Sequence, residues 1–385
     1  MEAKIFTGAK PFQKASIELF STMEIEMPSF MFDLFIDPPY IGKLKMAISK
    51  RDYTGENKMD RRKFLKASTI GVFGYGLMAS TGMARPKGNI GARKIQDFRI
   101  LGRTGFKVSD LAIGYVNDEG VMASMLDAGM NYIDTGESYP GAHKLISKVI
   151  KGRDRKSIFI TSKMLMEGET SKEALIKRTE KCLEDLSTDY VDCMMLHCPE
   201  TAEEVKHEGY HAAMQELKAN GRIKYTGLSN HGSFWYRDSK ESMDKVLLAA
   251  VEDGRFDVLL MAYNFLQMDR AEKVLEVCQQ KKIGTTLMKT TPVAKYYIVK
   301  SRVDQLKKEG KEVPAFYKDG LQRYKQKADL AERFISKYDL KSPTEIKAAA
   351  IKFVLSNPNV NTVCCSLQTY EEMEKILPLS GKKLV

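Results

Sequence analysis

Four polar residues with complementary proton chemistry follow short apolar segments of this chain. Asp134, Lys163 and His197 each stand at or next to the end of such a segment, and Tyr139 lies five residues after Asp134. A phenol has an ordinary pKa of about 10 and is a poor acid or base at neutral pH. A nearby ammonium group lowers that pKa, and a carboxylate keeps the ammonium charged. These residue types therefore predict a proton-transfer site.

The same set indicates which reaction the proton transfer serves. His197 can donate a hydrogen bond to a carbonyl oxygen, and the set contains neither a covalent nucleophile nor a metal-ligand pattern. A carbonyl held in this way needs a hydride, which a nicotinamide cofactor, NAD or NADP, supplies. Singly, the residues have simpler interpretations: an N-cap for Asp134, a rim charge for Lys163, a core histidine for His197 and loop packing for Tyr139. Their occurrence on consecutive segments favours one shared site.

Eight apolar segments alternate with stretches that have apolar residues at helical spacing. None of the eight alternates with polar residues, which predicts strands buried on both faces. Repeated strand and helix units predict a (β/α)8 TIM barrel, where catalytic groups stand at the carboxyl ends of the strands. An open doubly wound sheet is the alternative, but the first segment lacks the glycine-rich fingerprint of that fold. The predicted strands are Ser109–Tyr115, Asn131–Thr135, Ser157–Lys163, Tyr190–His197, Tyr225–Asn230, Phe256–Tyr263, Gly284–Lys289 and Asn361–Leu367.

One interval between predicted strands is much longer than the others. The seventh strand ends at Lys289 and the eighth at Leu367, which leaves an insertion at Thr290–Ser342. Its content of Lys, Glu and Tyr predicts a helical excursion on the surface, over the barrel mouth.

The predicted barrel and its polar residues together resemble the aldo/keto reductase family. The four residues match the catalytic tetrad of that family in order and approximate spacing. The resemblance implies an NAD(P)(H)-dependent oxidoreductase that moves hydride between nicotinamide and a small carbonyl or alcohol substrate. Tyr139 would be the general acid or base and Lys163 would adjust its pKa. Asp134 would pair with Lys163, and His197 would orient the carbonyl.

Other segments extend the resemblance from about residue 97 to about residue 377. Residues 99–109 resemble the hairpin and first strand of the family, and residues 353–360 resemble the stretch before its last strand. Ser229 and Asn230, in a Gly-Leu-Ser-Asn sequence, match residues that hold the nicotinamide carboxamide. Weaker candidates for pyrophosphate and ribose contacts are Lys289, Ser366 and Gln368.

The chain departs from the family pattern at three places. Pro140 follows the tyrosine where the family usually has glycine, and Leu260 stands where the family usually offers a glutamine to the carboxamide. After the last predicted strand the usual Pro-Gly or Pro-Lys turn is absent, and Gln368 stands where a basic residue would bind a 2′-phosphate. The sequence therefore does not decide between NAD and NADP.

The positive charge of the chain is concentrated before the predicted barrel. Residues 1–95 hold 16 Lys and Arg against 9 Asp and Glu, so they carry +7 of the net +11. The remainder shows no basic stripe interleaved with aromatic residues, and we expect no nucleic-acid binding. The six cysteines form no C-x-x-C pair, and no metal site is expected.

An export signal is predicted at residues 59–84. Arg61 and Arg62 precede seventeen uncharged residues, Ala67–Met83, in the layout of a twin-arginine signal peptide. The alternative is a basic pair before a buried helix. The expected organisation is an unassigned extension at 1–58, the signal, a linker at 85–95 and the barrel at 96–385. The protein would be periplasmic or otherwise exported, with the twin-arginine machinery as a partner and membrane contact only in transit.

Two other functions fit parts of the sequence. A nucleotide-binding sensor or subunit could keep the barrel and turn over slowly, although a pure binder has no need of the tetrad. A scaffold tethered to the membrane by an uncleaved Ala67–Met83 is the second. Cell fractionation separates that scaffold from an exported enzyme.

Overall fold

In the computed structural model, residues 94–231 and 240–384 are described, and they belong to one compact unit. The extension at 1–58, the predicted signal at 59–84 and most of the predicted linker lie outside the described residues. Eight parallel strands close into a barrel in the order β10-β3-β4-β5-β6-β7-β8-β9. These strands are β3 (Leu111–Ile113), β4 (Tyr132–Asp134), β5 (Phe159–Leu165), β6 (Val191–His197), β7 (Ile223–Asn230), β8 (Val258–Ala262), β9 (Gly284–Met288) and β10 (Thr362–Cys365). The predicted (β/α)8 fold is confirmed.

Helices follow the strands and cover the outside of the barrel. Several of them start at a side chain that bonds the first free backbone amides, as Asp118, Ser171 and Ser342 do. In the described part of the chain, no helix is both long and apolar enough to cross a membrane. The helices are α1 (Glu119–Asp127), α2 (Ala142–Ile150), α3 (Lys172–Leu186), α4 (Glu208–Ala219), α5 (Met243–Asp253), α6 (Met268–Gln280), α7 (Ala294–Lys308), α8 (Ala315–Lys337), α9 (Pro343–Leu355) and α10 (Tyr370–Ile376).

The barrel strands are buried on both faces. The sequence therefore does not show which of their residues point into the barrel and which point toward the helices. Met194 and Leu196 of β6 belong to the apolar layer between sheet and helices, whereas Cys193 and Met195 belong to the cluster inside the barrel. His197 has the parity of this inner pair, because side chains alternate between the two faces of a strand. The same parity argument places Asp134 of β4 and Lys163 of β5 on the inner face. Strand geometry therefore aims all three residues at one space.

A hairpin closes the amino-terminal end of the barrel. Its strands, β1 (Phe98–Ile100) and β2 (Lys107–Ser109), pair antiparallel, as the sequence predicted. Leu101, between the strands, is fully buried in the inner cluster. Gly102 has a φ of 50°, and a Cβ on it would collide with the backbone around Gly284. Only glycine lets the hairpin approach β9 this closely, and the hairpin therefore packs against the amino-terminal end of the barrel.

The insertion predicted at 290–342 forms two helices, α7 and α8, between β9 and β10. Phe334 of α8 stacks on Phe265 of the segment after β8, with ring centroids 3.9 Å apart. It also contacts Phe353 of α9 edge to face at 6.2 Å. These aromatic contacts fix the insertion against the barrel.

Candidate active site

Lys163 is the centre of the polar site at the carboxyl ends of the strands. Its ammonium nitrogen donates to Asp134 Oδ2 at 2.8 Å, to the carbonyl of Thr135 at 2.7 Å and to the Tyr139 hydroxyl at 3.3 Å. The side chain of Lys163 is only 1% exposed. A buried ammonium has three protons to satisfy, and here each one has an acceptor. Lys163 therefore joins the carboxylate and the phenol into a single hydrogen-bonded unit.

Tyr139 and His197 are neighbours in this site. Their ring centroids are 6.3 Å apart and the rings are nearly perpendicular. Tyr115, which follows β3, also contacts Tyr139 edge to face, with ring centroids 5.5 Å apart. The structure thus brings all four predicted tetrad residues together, with a second aromatic side chain as a wall.

Burial controls the protonation states of this group. Burial raises the pKa of Tyr139 above its usual value, and the Lys163 charge offsets this effect only in part. The expectation that Lys163 would set a lowered pKa was therefore incomplete, because the sequence does not show how far the phenol is desolvated. Burial opposes the charge on Lys163, but Asp134 and Tyr139 together raise its pKa above the usual range. At neutral pH the phenol is protonated and the ammonium is charged.

His197 is neutral in the same pH range. Burial, assisted by the positive charge of Lys163, lowers the pKa of His197 to about 3. Its Nδ1 is buried and has no hydrogen-bond partner among the described residues. A neutral imidazole carries one N–H donor, which suits a group that orients a carbonyl oxygen without giving up its proton.

An ion pair that the sequence did not reveal holds the loop that carries Tyr139. The carboxylate of Glu137 pairs with the guanidinium of Arg178 from α3 and also accepts from the amide of Leu165 at 2.9 Å. Arg178 in turn donates to the carbonyl of Leu165 at 2.7 Å. The two partners are 41 residues apart, so no local pattern could have indicated the pair. It fastens the loop after β4 to the end of β5.

The residues predicted to hold the nicotinamide lie at the end of β7. Ser229 pairs with His197 in the parallel register of β6 and β7. The Ser229 hydroxyl is buried and has no hydrogen-bond partner within the described part of the chain. The Asn230 amide donates to the carbonyl of Pro199 at 2.8 Å. A buried hydroxyl beside His197 that has no partner among the described residues fits a polar group such as a carboxamide.

The candidates for the rest of the cofactor lie elsewhere on the rim. Lys289 follows β9 and its charge acts on His231 at the end of β7. Ser366 accepts from the amide of Tyr115 at 3.1 Å. The side-chain amide of Gln368 makes two hydrogen bonds to the backbone after β3. Its oxygen accepts from the backbone amide of Asn117, and its nitrogen donates to the backbone carbonyl of Tyr115. These contacts join the segments after β3 and β10.

Leu260 of β8 is fully buried in the inner cluster, where the family pattern offers a glutamine amide. Its side chain supplies no hydrogen bond. Leu260 therefore cannot make the hydrogen bond that a glutamine at this position would offer to a carboxamide.

A second cluster was missed by sequence reasoning. His197, Cys198 and His231 each offer a nitrogen or sulfur atom, and these atoms all lie within 4.8 Å of one another. The two histidines are 34 positions apart and follow different strands. The Gly-Leu-Ser-Asn sequence directly before His231 is the one available signal, because it places that histidine at the strand end.

Comparison with known proteins agrees with this architecture. A sequence model of the Aldo/keto reductase family matches residues 101–384. A protein provisionally named as a voltage-gated potassium channel subunit beta, from Schizosaccharomyces pombe, is 30% identical over 207 residues, which are 48% of this chain and 58% of that protein. Methylglyoxal reductase DkgB from Escherichia coli O157:H7 is 32% identical over 119 residues, 30% of this chain and 44% of that protein. The chain spans about half the length of these curated relatives.

Solved structures show the same fold. The holo form of aldo-keto reductase AKR11C1 from Bacillus halodurans superposes with a TM-score of 0.54 at 19% identity, covering 75% of this chain and 91% of that chain. At this identity the likeness concerns the fold. Because the family model covers most of the chain and the whole described barrel, this protein belongs to the aldo/keto reductase family.

Proposed function

We propose that this protein reduces a small carbonyl compound to an alcohol with NADH or NADPH, using Tyr139 as the proton donor. The observation that carries the proposal is the bonding of Lys163, whose ammonium joins Asp134 and the Tyr139 hydroxyl in one buried unit. An ion pair with only a structural role has no need to hold a phenol at the open end of a barrel. Proton transfer needs such a contact.

In this proposal, the protonation state of each residue determines its role. His197, neutral and buried, donates its N–H to the carbonyl oxygen and fixes its position. Tyr139 gives its proton to that oxygen, and the phenolate that forms is stabilised by the ammonium of Lys163. Asp134 keeps that ammonium charged and in place. Solvent then returns a proton to Tyr139, which completes the proton balance.

A bound nicotinamide would supply the hydride that the carbonyl carbon accepts. Ser229 and Asn230 are proposed to hold its carboxamide, and the buried Ser229 hydroxyl supports that role. Lys289, Ser366 and Gln368 remain proposed contacts to the pyrophosphate and ribose. Because Gln368 already bonds backbone atoms and carries no charge, we propose that either dinucleotide is accepted.

The test uses the full chain with NADH and NADPH against a panel of aldehydes and ketones. Relatives named methylglyoxal reductase, DkgB and YeaE among them, make a small dicarbonyl the first substrate to try. Oxidation of the cofactor that depends on the carbonyl, with the alcohol recovered in equal amount, is the expected result. Tight cofactor binding with no turnover of any carbonyl would instead favour a nucleotide-binding sensor or subunit, as the similarity to a channel subunit suggests.

We further propose that residues 59–84 direct export through the twin-arginine machinery, on the evidence of Arg61, Arg62 and the uncharged stretch after them. Replacing both arginines by lysine keeps the charge and removes the guanidinium geometry that a receptor reads. We expect this double variant to stay in the cytoplasm. Fractionation of cells that express the wild type and the variant measures the effect, and equal delivery of the two to the periplasm would refute the proposal.

A further inference from the structure

His197 also belongs to a second cluster, with Cys198 and His231. Neither of these two neighbours has a role in the proposed proton transfer. His197 ends β6, Cys198 follows it, and His231 follows β7. Both imidazoles are buried, at 6% exposure each, and the thiol is half-buried. The amide of Cys198 donates to the carbonyl of Ser229 at 2.8 Å, which ties together the two segments that carry the three side chains.

The composition of this group selects a class of ligand. Two imidazoles and one thiol contain no carboxylate, so they suit borderline or soft metal ions and not Mg²⁺ or Ca²⁺. Zinc binds nitrogen at about 2.0–2.1 Å and sulfur at about 2.3 Å in a tetrahedral arrangement. The ligand atoms lie within 4.8 Å of one another, so side-chain rotations bring them within reach of one ion. Three protein ligands leave the fourth position open to water.

We propose that His197, Cys198 and His231 form a binding site for Zn²⁺ or a similar thiophilic divalent cation at the rim of the catalytic pocket. The positive charges of Lys163 and Lys289 act on His231 and oppose a cation. Loss of the thiol proton offsets one positive charge, so the site requires Cys198 as a thiolate. The affinity is therefore expected to lie below that of a structural zinc site.

Occupancy of this site has a consequence for the reaction, and this half of the inference rests on the proposed function. An imidazole held by a metal ion is turned toward the ion and no longer orients a carbonyl. Zn²⁺ therefore inhibits carbonyl reduction in competition with the substrate. The cation acts as a regulator of the site and plays no part in hydride transfer.

The binding half is tested without any substrate. The full chain, reduced and freed of metal, is titrated with Zn²⁺ by calorimetry and with Co²⁺ in the absorption spectrometer. We expect one equivalent to bind, and a thiolate-to-cobalt charge-transfer band to appear. Cys198→Ser should abolish that band and weaken Zn²⁺ binding by at least about tenfold. Cys364→Ser, which alters the other half-buried cysteine, should change neither.

Either of two results would overturn the site: a charge-transfer band that survives Cys198→Ser, or one that Cys364→Ser removes as well. Circular dichroism of each variant shows whether it is folded. If Cys198→Ser does not fold, Cys198→Ala and His231→Gln test the same ligands.

The inhibitory half is tested with the carbonyl assay. Zn²⁺ should raise the KM of the wild type for the carbonyl, and a chelator should restore it. Compared with its own rate without metal, Cys198→Ser should need at least about ten times more Zn²⁺ than the wild type for the same fractional inhibition. Equal inhibition of wild type and variant would refute the inference while leaving the reductase intact. Failure of the wild type to reduce any carbonyl would refute the proposed function, and the cobalt spectrum would still decide the site.

Discussion

The two sides of the barrel mouth use their polar groups differently. At the ends of β4 to β7, charged groups are buried, and His197 Nδ1 and the Ser229 hydroxyl are buried without a partner among the described residues. At the ends of β3 and β10, Ser366 and Gln368 bond the backbone of the neighbouring segment. On the first side, polar atoms remain available to a ligand. On the second side, the polar atoms already bond the protein backbone. The proposed catalytic residues and the proposed cofactor contacts therefore differ in how many of their polar atoms already bond the protein.

The largest expected effect comes from removing the proposed proton donor, Tyr139. Tyr139→Phe keeps the ring and its contacts with Tyr115 and His197 but leaves no group to protonate the carbonyl oxygen. We expect kcat for reduction to fall by about 10²–10⁴-fold, with cofactor affinity unchanged. Steady-state kinetics and nicotinamide fluorescence measure the two quantities. Turnover equal to that of the wild type would remove Tyr139 from the mechanism.

Lys163→Met, at the ends of the same strands, is expected to change both the stability of the protein and the pKa of Tyr139. It leaves the Asp134 carboxylate buried without its ammonium, which should lower the free energy of unfolding by about 3–5 kcal/mol. Because Lys163 lowers the pKa of Tyr139, its loss raises that pKa, and the pH optimum of alcohol oxidation should move upward.

Urea unfolding and pH–rate profiles measure these two effects of Lys163→Met. The double variant Lys163→Met, Asp134→Asn is the control, since removing both charges should restore part of the stability. An unchanged pH optimum in the single variant would contradict the proposed influence of Lys163 on the phenol.

A smaller effect is expected from the ion pair that positions the Tyr139 loop. Glu137→Gln weakens the pairing with Arg178 while the phenol itself remains. We expect kcat to fall by about tenfold with little change in cofactor KM, because the donor is displaced and not removed. Glu180→Gln, which alters the more exposed pair with Arg222, is the matched control. Equal kinetics for the two variants would mean that the loop does not depend on Glu137.

The smallest effect is expected at the ends of β3 and β10, where the polar side chains already bond the protein. Gln368→Ala removes two bonds to the segment after β3 but no charge. The dissociation constants of NADH and NADPH should rise by the same factor, on the order of tenfold or less, because a loosened loop does not distinguish a 2′-phosphate. Fluorescence titration with both cofactors measures this. A preference for NADPH of a thousandfold or more in the wild type would show a phosphate contact that we have not identified.

The sequence was sufficient for those features that depend on order along the chain. Buried strands followed by polar residues predicted the barrel and indicated that Asp134, Lys163 and His197 share one end. The family resemblance of residues 99–109 predicted the hairpin, and the long interval before the last strand predicted the insertion. Features that depend on packing between strands were not predictable. The pairing of Glu137 with Arg178, the approach of His231 to Cys198 and the net rise in the pKa of Tyr139 all follow from distances that only the closed barrel fixes.

The way the barrel closes bears on how a newly made chain reaches its native state. β10 pairs with β3, the Thr362 hydroxyl bonds the carbonyl of Ser109 across 253 residues, and the Ser380 hydroxyl bonds buried Asp110. None of these contacts can form until β10 and Ser380 have left the ribosome. A product that stops before β10 exposes the unpaired edges of β3 and β9, which are templates for aggregation. The edges of β3 and β9 are thus protected only when β10 emerges and pairs with both of them.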